Sequence, residues 1–268
     1  MNRPSSVTAG LAVTPSSAPA SSSAMGRGVR PDGSSQRRRP LLRKYEMTAL
    51  DPNGALIDMG RLAPATQPFE NCFATLARGT LIATPDGPRA VEDILPGDDI
   101  TTTNNGAQTV QWVGAMTLLP NAPDAQQPNR ALTRIAADSL GLNRPMPDLV
   151  LGPAARVLHR IPALHSMYGT PDCLAPAQGL VDGDAILEIR PISPVKLYQL
   201  LVPRHDTMLV NGVEVETHHP GAQIESQLSR DMLTLYLSMF PGIRQIEDFG
   251  PMAHPRLSID DLLAARIA

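Results

Sequence analysis

From Tyr45 to about residue 220, short apolar runs alternate with turn residues. Gly79–Thr84 precedes Pro85-Asp86-Gly87, and Asp99–Thr103 precedes Asn104-Asn105-Gly106. Within Thr109–Leu118, Val110, Trp112 and Gly114 alternate with Thr109, Gln111 and Val113, the period of two that marks a strand. Asp148–Leu151, Arg156–Leu158, Ala185–Ile189 and Val195–Val202 are further runs of strand length. Thr207–Val210 and Val213–Thr217 flank Asn211-Gly212, a pair suited to the positive φ angles of a tight hairpin. Many short strands at this spacing predict a mainly β, all-β domain over roughly 75–220. No segment repeats at a fixed period.

The pattern changes near the end of the chain. Ile224, Leu228, Met232, Leu235, Tyr236 and Met239 share one helical face, and Pro241-Gly242 ends the run. A second helix is predicted to start at Ser258, with Asp261 three residues on as its capping partner. Both helices are expected to pack on the β domain or on a partner subunit.

Composition narrows the choice. Proline, 27 of 268 residues, is spread along the chain at about twice ordinary usage. That excludes a helical bundle, because each interior proline costs a helix about 3 kcal/mol. Two distant cysteines exclude a disulfide framework and a cysteine-rich zinc module. No run approaches the length of a membrane span.

Charge divides the chain: residues 1–45 set eight basic side chains against Asp32 alone, a net of +7, and the remainder carries −10. The first 40 residues hold nine Ser, five Pro, four Gly and no aromatic residue, so the segment is predicted to be disordered. Val7–Ala20 is broken by Thr, Pro and Ser and lacks the continuous apolar core of a secretory signal. The chain is therefore expected in the cytoplasm, or exported without an N-terminal signal peptide. Arg37–Arg39 reads as a solvated basic tail. The acidic remainder, without stacking aromatics beside basic residues, is not expected to bind nucleic acid. The resulting division is a basic tail (1–44), a short lead-in (45–71), the β domain (72–221) and a helical C-terminal extension (222–268). Homo-oligomerisation stays open.

Residues 78–100 combine Gly79-Thr80, Pro85-Asp86-Gly87, Val91-Glu92-Asp93 and Gly97-Asp98. This order resembles the opening of a Hint domain, the module of hedgehog autoprocessing proteins and inteins, in its bacterial non-intein form. Gln108–Gly114 looks like the family's next strand, and 195–221, through His205, Asn211-Gly212 and Pro220-Gly221, looks like its closing hairpin. The resemblance implies an acyl shift: a Cys or Ser attacks the carbonyl before it, a histidine assists the leaving amide nitrogen, and a later nucleophile resolves the ester. Such chemistry needs an activated nucleophile, a proton donor and oxyanion donors.

Several positions depart from that pattern. Four residues before Gly79 stands Thr75, while Cys72, followed by Phe73 as the family's cysteine usually is, lies three residues further back. The middle segment, usually Ser-Pro-x-His-Arg, reads Gly152-Pro153-Ala154-Ala155-Arg156, with Ala155 in the histidine's place. His159 follows four residues on. His205 matches a position often held by histidine, and Gln199 stands where inteins commonly carry Asp. Thr217-His218-His219-Pro220 lacks the His-Asn ending that splicing requires. The expectation is a Hint-like scaffold that has lost processing and serves as a binding or structural module. The alternative is self-cleavage before Cys72 or Thr75, with His205 or His159 handling protons.

No other chemistry is indicated. The six histidines, His159, His165, His205, His218, His219 and His254, show no metal-ligand spacing, and neighbours on a strand point to opposite faces. Neither a metal nor another cofactor is expected. No phosphate-cradling glycine loop occurs, and Glu92-Asp93 and Asp98-Asp99 read as turn residues rather than a catalytic carboxylate pair.

Overall fold

The computed structural model describes residues 41–51, 53–120 and 131–267. The predicted disordered tail, with its Arg37–Arg39 cluster, lies outside them up to Pro40. The first strand, β1 (Leu42–Leu50), begins before the boundary that composition suggested and pairs with β2 (Leu56–Pro64) in an antiparallel hairpin. Arg43, Tyr45, Met47 and Ala49 point inward, and the residues between them are more exposed. A buried arginine masks this alternation in the sequence. Arg43 is tolerated inside because its Nε donates to Glu70 Oε1 at 2.7 Å and its Nη1 to the Thr117 carbonyl at 2.6 Å.

A single helical turn, α1 (Gln67–Glu70), leads into the domain. Next come β3 (Leu76–Ala77), β4 (Leu81–Ile82), β5 (Arg89–Ala90), β6 (Asp99–Thr102), β7 (Gly106–Thr109), β8 (Trp112–Leu118), β9 (Leu132–Ile135) and β10 (Leu149–Leu151). β11 (Arg156–Arg160), a short α2 (His165–Tyr168), β12 (Asp172–Pro176), β13 (Ile186–Ile189), β14 (Val195–Leu201), β15 (Thr207–Val210) and β16 (Val213–Glu216) complete the strands. One sheet runs β13-β9-β10-β3-β14-β8-β1-β2 and the other β12-β11-β16-β15-β4-β5, with β6 joining β15 to β7. All these pairings are antiparallel, so the mainly β class expected from the sequence is the class observed.

Local chemistry explains the departures in detail. Thr109–Leu118 splits into β7 and β8 because Val110 N–H donates to Asp98 O and Gln111 N–H to Leu201 O, which carries the chain from one sheet to the other. The Glu92 carboxylate accepts from the Gly79 N–H at 2.8 Å, tying the Gly-Thr opening to the Val-Glu-Asp turn. At Asn211-Gly212 both residues have positive φ, as a tight hairpin turn requires.

Apolar residues form two main clusters. One lies between the sheets and contains Leu76, Ile82, Ile100, Val113, Leu151, Ala155, Val157, Leu200 and Val215. The other joins Tyr45, Phe73, Trp112, Met116 and Leu197 to Tyr236, Met239, Phe240 and Phe249 of the C-terminal extension. The single helix expected over 224–239 is instead two, α3 (Ile224–Gln227) and α4 (Arg230–Leu237). Leu228 and Ser229 are extended, and Ser229 caps α4 by accepting from the Met232 N–H. The last helix, α5 (Ile259–Ile267), starts where predicted, with Ser258 Oγ accepting from Asp261 N–H at 3.1 Å. Among the described residues no helix is long and apolar enough to cross a membrane.

Candidate functional site

Cys72 leaves α1 through a tight turn in which its N–H donates to Phe69 O at 3.2 Å and its thiol to Pro68 O at 3.3 Å. The side chain is buried among the apolar residues of the second cluster. Burial pushes the thiol from 9.0 up to about 12, opposed only by a hydrogen bond with the Tyr236 hydroxyl. That hydroxyl also lies 3.4 Å from His218 Nε2. His218 stacks on Phe240 with rings 4° from parallel and packs near Trp112, whose Nε1 donates to Met239 O. Burial holds the His218 imidazole well below its ordinary range, so it is neutral at pH 7. A thiol, a phenol and an imidazole thus follow one another, all three buried.

Cys72 borders a pocket of about 530 Å³ whose opposite wall is charged. The Val157–Val215 pairing between β11 and β16 sets Arg156 across from Glu216. Glu216 Oε1 accepts from Arg256 Nε at 2.8 Å and from His205 Nε2 at 3.1 Å, and Oε2 faces Arg156 Nη1 at 3.6 Å. Burial would raise this carboxyl, but Arg256, the His205 hydrogen bond and Arg156 outweigh it and hold it at about 2. His219 donates from Nε2 to Gly250 O and accepts at Nδ1 from the Gly221 N–H, which fixes its tautomer. Burial lowers its pKa to about 4. Gly221 has φ +86°, and a Cβ there would lie 2.6 Å from Arg256 Nη1, so the Pro-Gly turn makes room for the arginine.

The four candidates from the sequence are not gathered in one place. Only Cys72 lines this pocket. Thr75, three residues on, is buried just before β3, with its N–H directed to Tyr198 O and its Oγ1 without a hydrogen-bond partner among the described residues. His205 sits behind Glu216, its Nδ1 accepting from Ala253 N–H at 2.9 Å, so both ring nitrogens are engaged. His159 on β11 lines a separate hollow with Arg266, whose Nη2 lies 3.3 Å from its Nδ1. Burial, then Arg266, lowers its pKa to about 4. Ala155 belongs to the cluster between the sheets, while its neighbour Ala154 reaches the pocket. This middle segment runs hard against the segment that follows Cys72: Gly152 N–H donates to Thr75 O at 2.7 Å, and a Cβ on Gly152 would lie 2.2 Å from Ala74 O. Among the described residues no group of three or more metal-ligating side chains converges.

A family model for the Hint domain matches residues 72–222. The chain belongs to the Hint domain family. Among solved structures it is similar to the gp41-1 intein, at 14% identity over 55% of this chain and 98% of that one, with a TM-score of 0.34. It is also similar to the MchDnaB-1 intein, at 15% identity over 53% and 98%, with a TM-score of 0.32. No curated protein matches it.

Glu216, Arg156, Arg256 and Tyr236 were not singled out as site residues by sequence reading. Val213-Glu214-Val215-Glu216 carries a signal, since its alternation puts two glutamates on one face of β16, with Arg156 and Arg160 on the paired strand to receive them. Tyr236 reads as one more apolar position of a helix, and nothing near Arg256 announces it.

Proposed function

We propose that this Hint-family protein keeps its N-terminal segment attached and serves as a binding or structural module. The observation that carries the reading is the setting of the Asn71–Cys72 bond. Its nitrogen donates to Phe69 O, its thiol is buried and protonated, and Ala155 stands in place of the assisting histidine. At pH 7 a thiol titrating near 12 is thiolate in only about one molecule in 10⁵. The segment before the bond is also part of the domain: β1 pairs with β8 from Tyr45 opposite Met116 to Ala49 opposite Trp112. A cut before Cys72 would leave that hairpin bound in the sheet.

The continuity from Cys72 through Tyr236 to His218 favours a second reading, autoproteolysis. In that reaction Cys72 Sγ would bond to the Asn71 carbonyl carbon, the C–N bond would break, and the amide nitrogen would leave as an amine. The thiol proton would pass by way of Tyr236 and His218 to that leaving nitrogen, and the added thiol would then take the Asn71 acyl group from Cys72 Sγ. Intact mass of freshly purified protein, incubated with added thiol, separates the two readings. The scaffold reading expects a persistent 28.7 kDa chain; a fragment beginning at Cys72 would establish the second.

A further inference from the structure

The charged wall of the pocket is not electrically balanced. Glu216 is the single acidic residue among the described residues lining it, and it faces both Arg156 and Arg256. His218 and His219 are neutral at pH 7, so a net charge of +1 remains inside a domain whose overall charge is strongly negative. Arg256 is anchored through Nε to Glu216 and through Nη2 to His219 O. Arg156 is held much less well. Its side chain is 27% exposed, and its ion pair among the described residues, at 3.6 Å, exceeds hydrogen-bond length. A guanidinium offers five N–H donors in a planar fork, and on Arg156 they remain open to an incoming acceptor.

We propose that the pocket binds a small oxyanion-bearing molecule, its carboxylate or phosphate group held by Arg156 beside the anchored Arg256. Planar guanidinium donors match either group in a two-pronged arrangement. The volume suits a metabolite-sized ligand rather than a polymer, and Ala154, Pro176, Met252 and Leu257 supply apolar wall for its body. The proposal deepens the binding-module reading and rests on it, because Pro68 and Asn71, both before Cys72, form part of the same wall.

The test is calorimetric titration of the full chain with inorganic phosphate and, separately, with succinate, at ionic strength held constant by sodium chloride. Saturable one-to-one binding of at least one probe is expected, the tighter probe identifying the group recognised. Arg156→Gln should weaken it at least about tenfold. Gln223→Glu, an exposed lining position where the new charge cancels the net +1, should do likewise without disturbing the core. Arg134→Gln, which removes an exposed ion pair with Asp148 elsewhere, should bind as the parent does. No saturable binding of either probe, or binding unchanged in both Arg156→Gln and Gln223→Glu, overturns the proposal. Intact mass of the same samples keeps the outcomes apart, since a cleaved chain refutes the scaffold reading while an intact chain that binds neither probe refutes only the anion site.

Discussion

The two walls of the pocket treat ionisable groups in opposite ways. Around Cys72 the side chains are apolar or neutral: Tyr236, His218, Phe240 and Trp112 pack together, burial keeps the thiol protonated, and burial followed by the Arg256 charge keeps the imidazole neutral. Around Glu216 the burial is as deep, yet two guanidiniums and the His205 ring keep the carboxylate charged. Desolvation acts on both sides, and only the supply of partners differs. The Cys72 side offers its thiol no charged partner, while the Glu216 side holds a dense hydrogen-bond network. Under the scaffold reading, a Hint fold gives up the acyl shift and still holds a structured pocket.

The contrast is tested most severely at Glu216. Replacing it with alanine leaves the half-buried Arg156 and Arg256 without their shared acceptor and strips the Nε2 partner from His205. A loss of about 3–5 kcal/mol in urea unfolding is expected. The same change at Glu46, whose ion pairs with Lys44 and Lys196 are largely exposed, should cost no more than about 1 kcal/mol. Equal losses would mean that the charged wall is no more than surface.

Acid should act on the half-buried imidazoles first and on Glu216 afterwards. His219 and His159 titrate near 4 in the folded chain and near 6.5 when unfolded, so the unfolded state takes up protons first as pH falls. Their contribution is complete above pH 6.5 and drains away toward pH 4, at about 1 kcal/mol each once solvent screening of the partly exposed rings is allowed for. Glu216 titrates at about 2 in the folded chain, so its contribution holds above its unfolded value near 4.5 and is lost between there and 2. Chemical denaturation at a series of pH values should show stability falling first between 6.5 and 4, then again below 4.5. A flat profile from 7 to 4 would contradict the burial of the imidazoles.

The strand pattern and the family were legible because period-two alternation and Asn211-Gly212 are local signals, and because the turns of residues 78–100 follow one another in a distinctive order. The first hairpin was not, since buried Arg43 breaks its apolar face and Glu70, the residue that makes this tolerable, is 27 positions away. The break between α3 and α4 was missed because Ser229 fits a helical stripe as readily as it fits a cap. At the site, Cys72 and Ala155 could be read from motif position. The partners that set their chemistry, Tyr236, His218 and the Glu216 network, come together only through long-range packing, which no spacing records.

The central claim is that burial, unopposed by a base, disarms Cys72. It is tested most directly by the pH dependence of alkylation of the native full chain, with modification at Cys72 followed by peptide mass analysis. The account predicts that Cys72 stays unmodified at pH 8 and reacts only as the pH approaches the range in which the thiol ionises, near 12, or as the chain unfolds. Rapid modification at pH 8, with half-titration below 9, would show an activated thiolate and contradict it.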